Sequence, residues 1–154
     1  MFLRAPFETG MGPMRVKIEV NTFERSPANP PIRIPFHVES SWFSGGAEVL
    51  TFTLDEVVAT KIRALFQRSK GRDLFDLWLA LTQLGATPSS IVEAFALYRP
   101  DGYTGRRAEL NLGEKLKRSA FREDIRALVT AWPEGYDIDA AAELVIADVL
   151  ALIE

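Results

Sequence analysis

Residues 53–85 read "TLDEVVATKIRALFQRSKGRDLFDLWLALTQLG". A helical period of apolar residues runs through this stretch and breaks once, at Ser69-Lys70-Gly71. Thr53 and Glu56 have the spacing of a capping box, so a helix is expected to start at Thr53 and run to about Ser69, with Gly71 as its stop or hinge. A second helix is expected from about Arg72 to Leu84, ended by Gly85. So short a link makes the two helices antiparallel or sharply angled neighbours. On the first helix, Leu54, Val57, Val58, Ile62 and Leu65 form one apolar arc. Lys61 falls inside that arc and Arg68 beside it, an uncommon place for cations unless they have partners. The second helix is the complement: Asp73 and Asp76 share its one polar strip, and Leu74, Leu77, Trp78, Leu81 and Leu84 fill the apolar side. The plain structural reading is an ion-pair cluster that fixes a helix hairpin, the aspartates being favoured also by the helix N-terminus. The functional reading is a lysine that contacts a phosphate or a nucleophile, held and tuned by two carboxylates.

Outward from this hairpin the two sides differ. On the N-terminal side, Val16, Ile18 and Val20 alternate with Lys17, Glu19 and Asn21, which predicts a strand over 14–22. The proline-rich "ERSPANPP" follows, then "IRIPFHVES" as a second strand and "AEVLTFT" as a third. Between these lies "SWFSGG", with Ser44 to Gly46 read as a tight loop. On the C-terminal side come helices: "TPSSIVEAFALY" with Thr87 as cap and Pro88 at its first position, a weakly helical "RRAELNLGEKLK", "SAFREDIRALVTAW", and "DIDAAAELVIADVLALIE". Strands first and helices after is the order of an α+β fold, a small, mostly antiparallel sheet followed by a helical bundle. One domain is expected, β-rich over 14–52 and helical over 53–154.

The 154 residues carry a net charge of −3, which excludes a global basic field for nucleic acid. There is no cysteine, hence no disulfide or thiolate metal site, and the single histidine, His37, excludes a multi-histidine cage. No apolar run reaches the roughly 20 residues of a membrane helix, and the N-terminus lacks a signal peptide's apolar core, so a cytoplasmic location is expected.

The segments "VKIEVN" and "PFHVESSWFSGGAEVLTFTLDEVVATKIRALFQRSKGRDLFDLWLAL" closely resemble the AbiEii/AbiGii abortive-infection toxins, the nucleotidyltransferase-like half of type IV toxin–antitoxin pairs. The K-x-x-A-L-x-x-R-x-K-x-R-D-x-x-D-L pattern carries most of that likeness. The resemblance implies phage defence by transfer of a nucleotidyl group from an NTP, with Mg²⁺, onto an acceptor such as tRNA. Carboxylate pairs hold the metal, which bridges the triphosphate. It assigns Lys61, Asp73 and Asp76 to catalysis, Arg68 and Arg72 to the nucleotide, and Glu19 to the metal. The family's Gly-Ser turn and Asp-x-Asp strand belong ahead of Glu19, yet the residues before Met14 contain no aspartate. The chain is therefore expected to be the C-terminal part of such a toxin, inactive and without bound NTP or Mg²⁺ when alone. The alternative is a non-enzymatic remnant that binds an antitoxin, itself or a complementary chain. A homo-oligomer is expected, with the strand over 14–22 near the contact.

Other candidates have plainer readings. Asp137 or Asp139 in "YDIDA" imitates the missing pair but stands where the last helix needs its cap. His37 lies in a strand without a serine or cysteine partner. Arg106, Arg107, Lys115, Lys117, Arg118 and Arg122 make a basic run, read as a solvated face, with an RNA-facing patch as the other reading. Trp42 and Phe43 belong either to the core or to an interface.

Overall fold

The computed structural model describes residues 2–5, 14–18 and 26–154 of the chain. Among these described residues two antiparallel strand pairs precede six helices, the α+β order expected. β1 (Phe2–Ala5) pairs with β2 (Met14–Lys17), Leu3 opposite Val16. β3 (Ile32–Glu39) pairs with β4 (Ser44–Thr51), from Ile32 opposite Thr51 to Glu39 opposite Ser44. The two pairs are separate two-stranded sheets rather than one. β1 was not expected: four residues are too short to show a period. The expected strand over 14–22 is seen as far as Lys17, and positions 19–22, Glu19 included, lie outside the described residues.

β4 corrects the reading of Ser44 to Gly46 as a loop. These residues open the strand, opposite Glu39, Val38 and His37. The reversal is made one step earlier, where the Ser40 hydroxyl accepts the Phe43 N–H at 3.1 Å and the Ser40 N–H donates to the Phe43 carbonyl at 2.9 Å. The Phe43 ring then folds over Gly45, where a Cβ would lie 2.7 Å from the ring.

The helices are α1 (Leu54–Gln67), α2 (Gly71–Thr82), α3 (Pro88–Tyr98), α4 (Gly105–Leu116), a short α5 (Ser119–Arg122) and α6 (Ile138–Asp148). α1 packs against α2 and α3, and α2 against α6. Ile62, Leu65, Leu74, Leu77, Ile91, Phe95, Leu112, Phe121 and Val145 are buried between them. At the α2–α6 end, Tyr136 meets Phe75 and Trp78 edge-on, both with ring centroids 5.0 Å away. Gly85, at φ +73°, ends the turn after α2 in the left-handed region that favours glycine.

Two expected helices are broken. "SAFREDIRALVTAW" folds as α5 and a 3-10 turn over Asp124–Ala127, because the Asp124 carboxylate is drawn to the start of α2. The last helix stops at Asp148 and a 3-10 turn follows over Leu150–Leu152. That turn aims the Ile153 carbonyl at the first N–H of α4, where Gly105 donates to it at 3.2 Å. The Asp137 carboxylate caps α6, accepting the Asp139 and Ala140 N–H groups at 3.0 and 2.9 Å.

Candidate functional site

The capping box at the head of α1 is half formed. The Thr53 hydroxyl accepts the Glu56 N–H at 3.4 Å, but the Glu56 carboxylate does not return to Thr53. It is fully buried and accepts the Ala28 N–H at 2.6 Å, the Asn29 N–H at 3.1 Å and the Tyr98 hydroxyl in a short bond. Burial alone would raise its pKa. The bonds from Tyr98, Ala28 and Asn29 outweigh that and hold it below the ordinary carboxylate value. Glu56 thus ties the segment entering the β3–β4 pair to α1 and α3.

One turn along α1, Lys61 meets α2. Its Nζ lies 2.6 Å from Asp76 and 3.9 Å from Asp73. Arg68 at the C-cap of α1 closes on Asp73 with two parallel bonds, Nε to Oδ2 at 2.7 Å and Nη2 to Oδ1 at 2.6 Å. This fork matches guanidinium to carboxylate, and it raises the Arg68 pKa further. The cluster expected from helix geometry is therefore present, with two layers. The Asp73 side chain is 0% exposed, whereas Lys61 and Asp76 are 31% and 36% exposed at the rim.

Arg72 is not brought into this cluster. Its Nε lies 3.8 Å from Asp124, which also accepts the Arg72 N–H at 3.3 Å and pairs with Lys70 at 3.4 Å. Asp124 does for α2 what its own N-cap, Lys70, cannot do, since that residue offers no acceptor. The approach is close: a Cβ on Gly71 would sit 2.0 Å from the Phe121 carbonyl oxygen.

Lys115 departs from the solvated face expected of it. It is 5% exposed, and its Nζ donates to the Leu65 carbonyl in a short bond and to the Phe66 carbonyl at 2.9 Å. It caps the last turn of α1, where a cation also meets the negative end of the helix dipole. Burial pushes its pKa down to about 8, against the pull of Asp73. The signal was in the spacing: Ala108, Leu112 and Lys115 fall on one face of α4, the argument that singled out Lys61. The other cations of the basic run are largely paired. Arg122 forks onto Asp139, Lys117 lies 2.6 Å from Glu114, Arg106 lies 3.9 Å from Glu109, and Arg107 bonds the Gly102 carbonyl.

Residues 1–144 match the family described as "Nucleotidyl transferase AbiEii toxin, Type IV TA system". The chain belongs to the AbiEii family. No curated protein and no solved structure gives a significant match. This AbiEii protein is accordingly nucleotidyltransferase-like, a toxin of the type IV toxin–antitoxin class. The match runs past α2 and takes in α3 to most of α6, beyond the stretch over which the motifs are plain. No described helix is long and apolar enough to cross a membrane.

The fit of a divalent cation can be judged from the carboxylates. Both Asp73 oxygens are held by Arg68, and Asp76 faces Lys61. Among the described residues no three His, Cys, Asp or Glu side chains stand together to hold a metal ion. Asp137 and Asp139 cap α6 and pair with Arg122. The described residues therefore do not fit Mg²⁺ by themselves, and Glu19 lies outside them.

Proposed function

We propose that this AbiEii chain supplies the helical part of a nucleotidyl-transfer site, acting on an NTP with an RNA acceptor such as tRNA, and that its activity is restrained by a cognate antitoxin. The observation that carries the reading is the layering of the Lys61 cluster. The Lys61–Asp76 pair is partly exposed, so it is weak and easily opened. Lys61 can then exchange Asp76 for a phosphate oxygen at the rim. Beneath it, Asp73 and Arg68 are locked and act as a positioning pair that fixes where Lys61 emerges. Arg72, on the first turn of α2 and 38% exposed, is the further cation that a triphosphate could recruit from Asp124.

Because its carboxylates are already paired with cations, the chain alone is expected to transfer nothing. Incubation with labelled NTPs, Mg²⁺ and total tRNA should give no incorporation above a Lys61→Ala control. Adding in trans a polypeptide that carries an AbiEii Gly-Ser turn and Asp-x-Asp strand should restore incorporation, and Lys61→Ala should abolish it. Incorporation by the chain alone that depends on Lys61 would show that a metal site exists elsewhere in it. Restored incorporation indifferent to Lys61→Ala would defeat the assignment of Lys61.

A further inference from the structure

Arg68 stands at the C-cap of α1, and its fork onto Asp73 forms the floor beneath Lys61. Such a fork needs the end of α1 to be held still. The last turn of a helix frays readily, because its final carbonyls have no partner within the helix. α1 carries no basic side chain in its own last turn. Lys115 of α4 supplies the cation instead. Its Nζ donates to the Leu65 carbonyl in a short bond and to the Phe66 carbonyl at 2.9 Å, and Phe66 stands two residues before Arg68. α4 is a firm base for this contact. Ala108 and Leu112 on the same face are buried, and at its start a Cβ on Gly105 would collide with the Leu150 and Ile153 carbonyl oxygens, so the helix rests directly on backbone. Burying an ammonium is costly, and a methionine would fill the same space without that cost. What the charge does, not the space it fills, accounts for a lysine here.

We propose, on the reading of Lys61 as the phosphate-binding cation, that Lys115 is a positioning residue of the nucleotidyl-transfer site, holding the end of α1 so that Arg68 meets Asp73 and Lys61 emerges above them. At 5% exposure Lys115 is placed to touch no substrate and acts through the α1 backbone. Three cations then bear on one buried carboxylate: Arg68 in direct contact, Lys61 at 3.9 Å, and Lys115 through its field. Burial brings the Lys115 pKa down to about 8, Asp73 of α2 favours its cation, and Arg118, past the end of α4, opposes it. Loss of its proton removes the charge from both carbonyl bonds and weakens them.

Nitrogen NMR of the Arg68 guanidinium in the full chain, with carbon detection to avoid proton exchange, reads the fork. A locked fork keeps the two Nη atoms in different surroundings and gives separate signals; a loose one averages them. At pH 7 the wild type should give separate signals and Lys115→Met should merge them. Lys117→Met, which removes an exposed lysine paired with Glu114, should change nothing. Between pH 6.5 and 9.5 the wild-type signals should shift with a midpoint of about 8, and those of Lys115→Met should stay flat. The amides of Leu77 and Val145 in the same samples check that the core persists. In the transfer reaction reconstituted in trans, Lys115→Met should lower incorporation on the order of 10-fold or more, and Lys117→Met should not. If the wild-type mixture transfers nothing, the reading of Lys61 fails, and the Arg68 signals still decide whether Lys115 holds the fork. Separate Arg68 signals in Lys115→Met, or transfer undiminished by it, would overturn the proposal. If that variant does not fold, the wild-type titration decides: a step near pH 8 supports the proposal and its absence overturns it.

Discussion

Asp73 and Asp76 look equivalent on a helical wheel and are not equivalent in the molecule. Asp76 is a rim carboxylate opposite a partly exposed lysine, so Asp76→Ala should cost about 1 kcal/mol or less. Asp73 is buried, and its main partner is Arg68, whose own side chain is half exposed. Arg68→Ala therefore strands a buried carboxylate with Lys61, 3.9 Å away, and the charge of Lys115 as partial compensation, and should cost about 3 kcal/mol. Urea midpoints of the two variants check the order, and equal midpoints would contradict it. Lys115 adds a pH dependence. Its pKa is about 8 in the fold against an ordinary 10.5, so above pH 8 the folded state holds fewer protons than the unfolded one. Stability should then rise with pH across that window. The tyrosines act the other way near the top of it: burial raises Tyr103, and pushes Tyr136 up to about 12, so their contribution falls once unfolded tyrosine ionises near 10. Wild type compared with Lys115→Met, in denaturation series from pH 7 to 9.5, should isolate the rising part. If both curves have the same slope, Lys115 does not titrate in the fold.

The elements were legible where a period had room to repeat. The long apolar arcs of α1 and α2 and the alternation of β3 could be read directly, and so could the meeting of Lys61 with Asp73 and Asp76, since helix geometry and a three-residue link leave few other arrangements. What could not be read depends on contacts between distant segments. Nothing local to Gly71 announces the Phe121 carbonyl, and nothing near Asp124 announces that it will cap α2 fifty-two positions back. Glu56 was misjudged for the same reason: the capping-box spacing was present, but Ala28, Asn29 and Tyr98 compete for the carboxylate and win. Gly71 gives a sharp test at this scale. Alanine for glycine inside a helix usually stabilises by about 0.5–1 kcal/mol. Gly113→Ala in α4, where an added Cβ meets nothing within 4 Å, should show that gain. Gly71→Ala should instead destabilise, since its Cβ would collide with backbone rather than with a movable side chain. Thermal melts of the two variants should move in opposite directions, and a shared direction would mean that α2 and α5 separate at little cost.

The whole molecule divides into a packed body and a support that is barely held. α1, α2, α3, α4 and α6 bury one another's apolar faces, whereas β3 and β4 are exposed along their length; among the described residues they are joined to the body by the run of β4 into α1 and by the bonds of Glu56 to the segment before β3. The likeness to a toxin family concerns both parts, but the Lys61 cluster belongs wholly to the body, so the cluster can keep its geometry whatever the strands do. Local stability should follow this division. In native-state hydrogen exchange, the amides of Ile62, Leu77, Ile91 and Val145 should open only with global unfolding. Those of β3 and β4 should exchange through local opening, orders of magnitude faster. Glu56→Gln should speed the strands further, because it weakens the acceptor of the Ala28 and Asn29 N–H groups, while leaving the exchange of Leu77 and Val145 nearly as it was. Acid should act in the same direction: the Glu56 pKa is held low in the fold, so its contribution is present above the ordinary carboxylate value and lost as the pH falls through the folded one. Strand amides as well protected as those of α1 would show that the hairpin and the helices unfold as one unit.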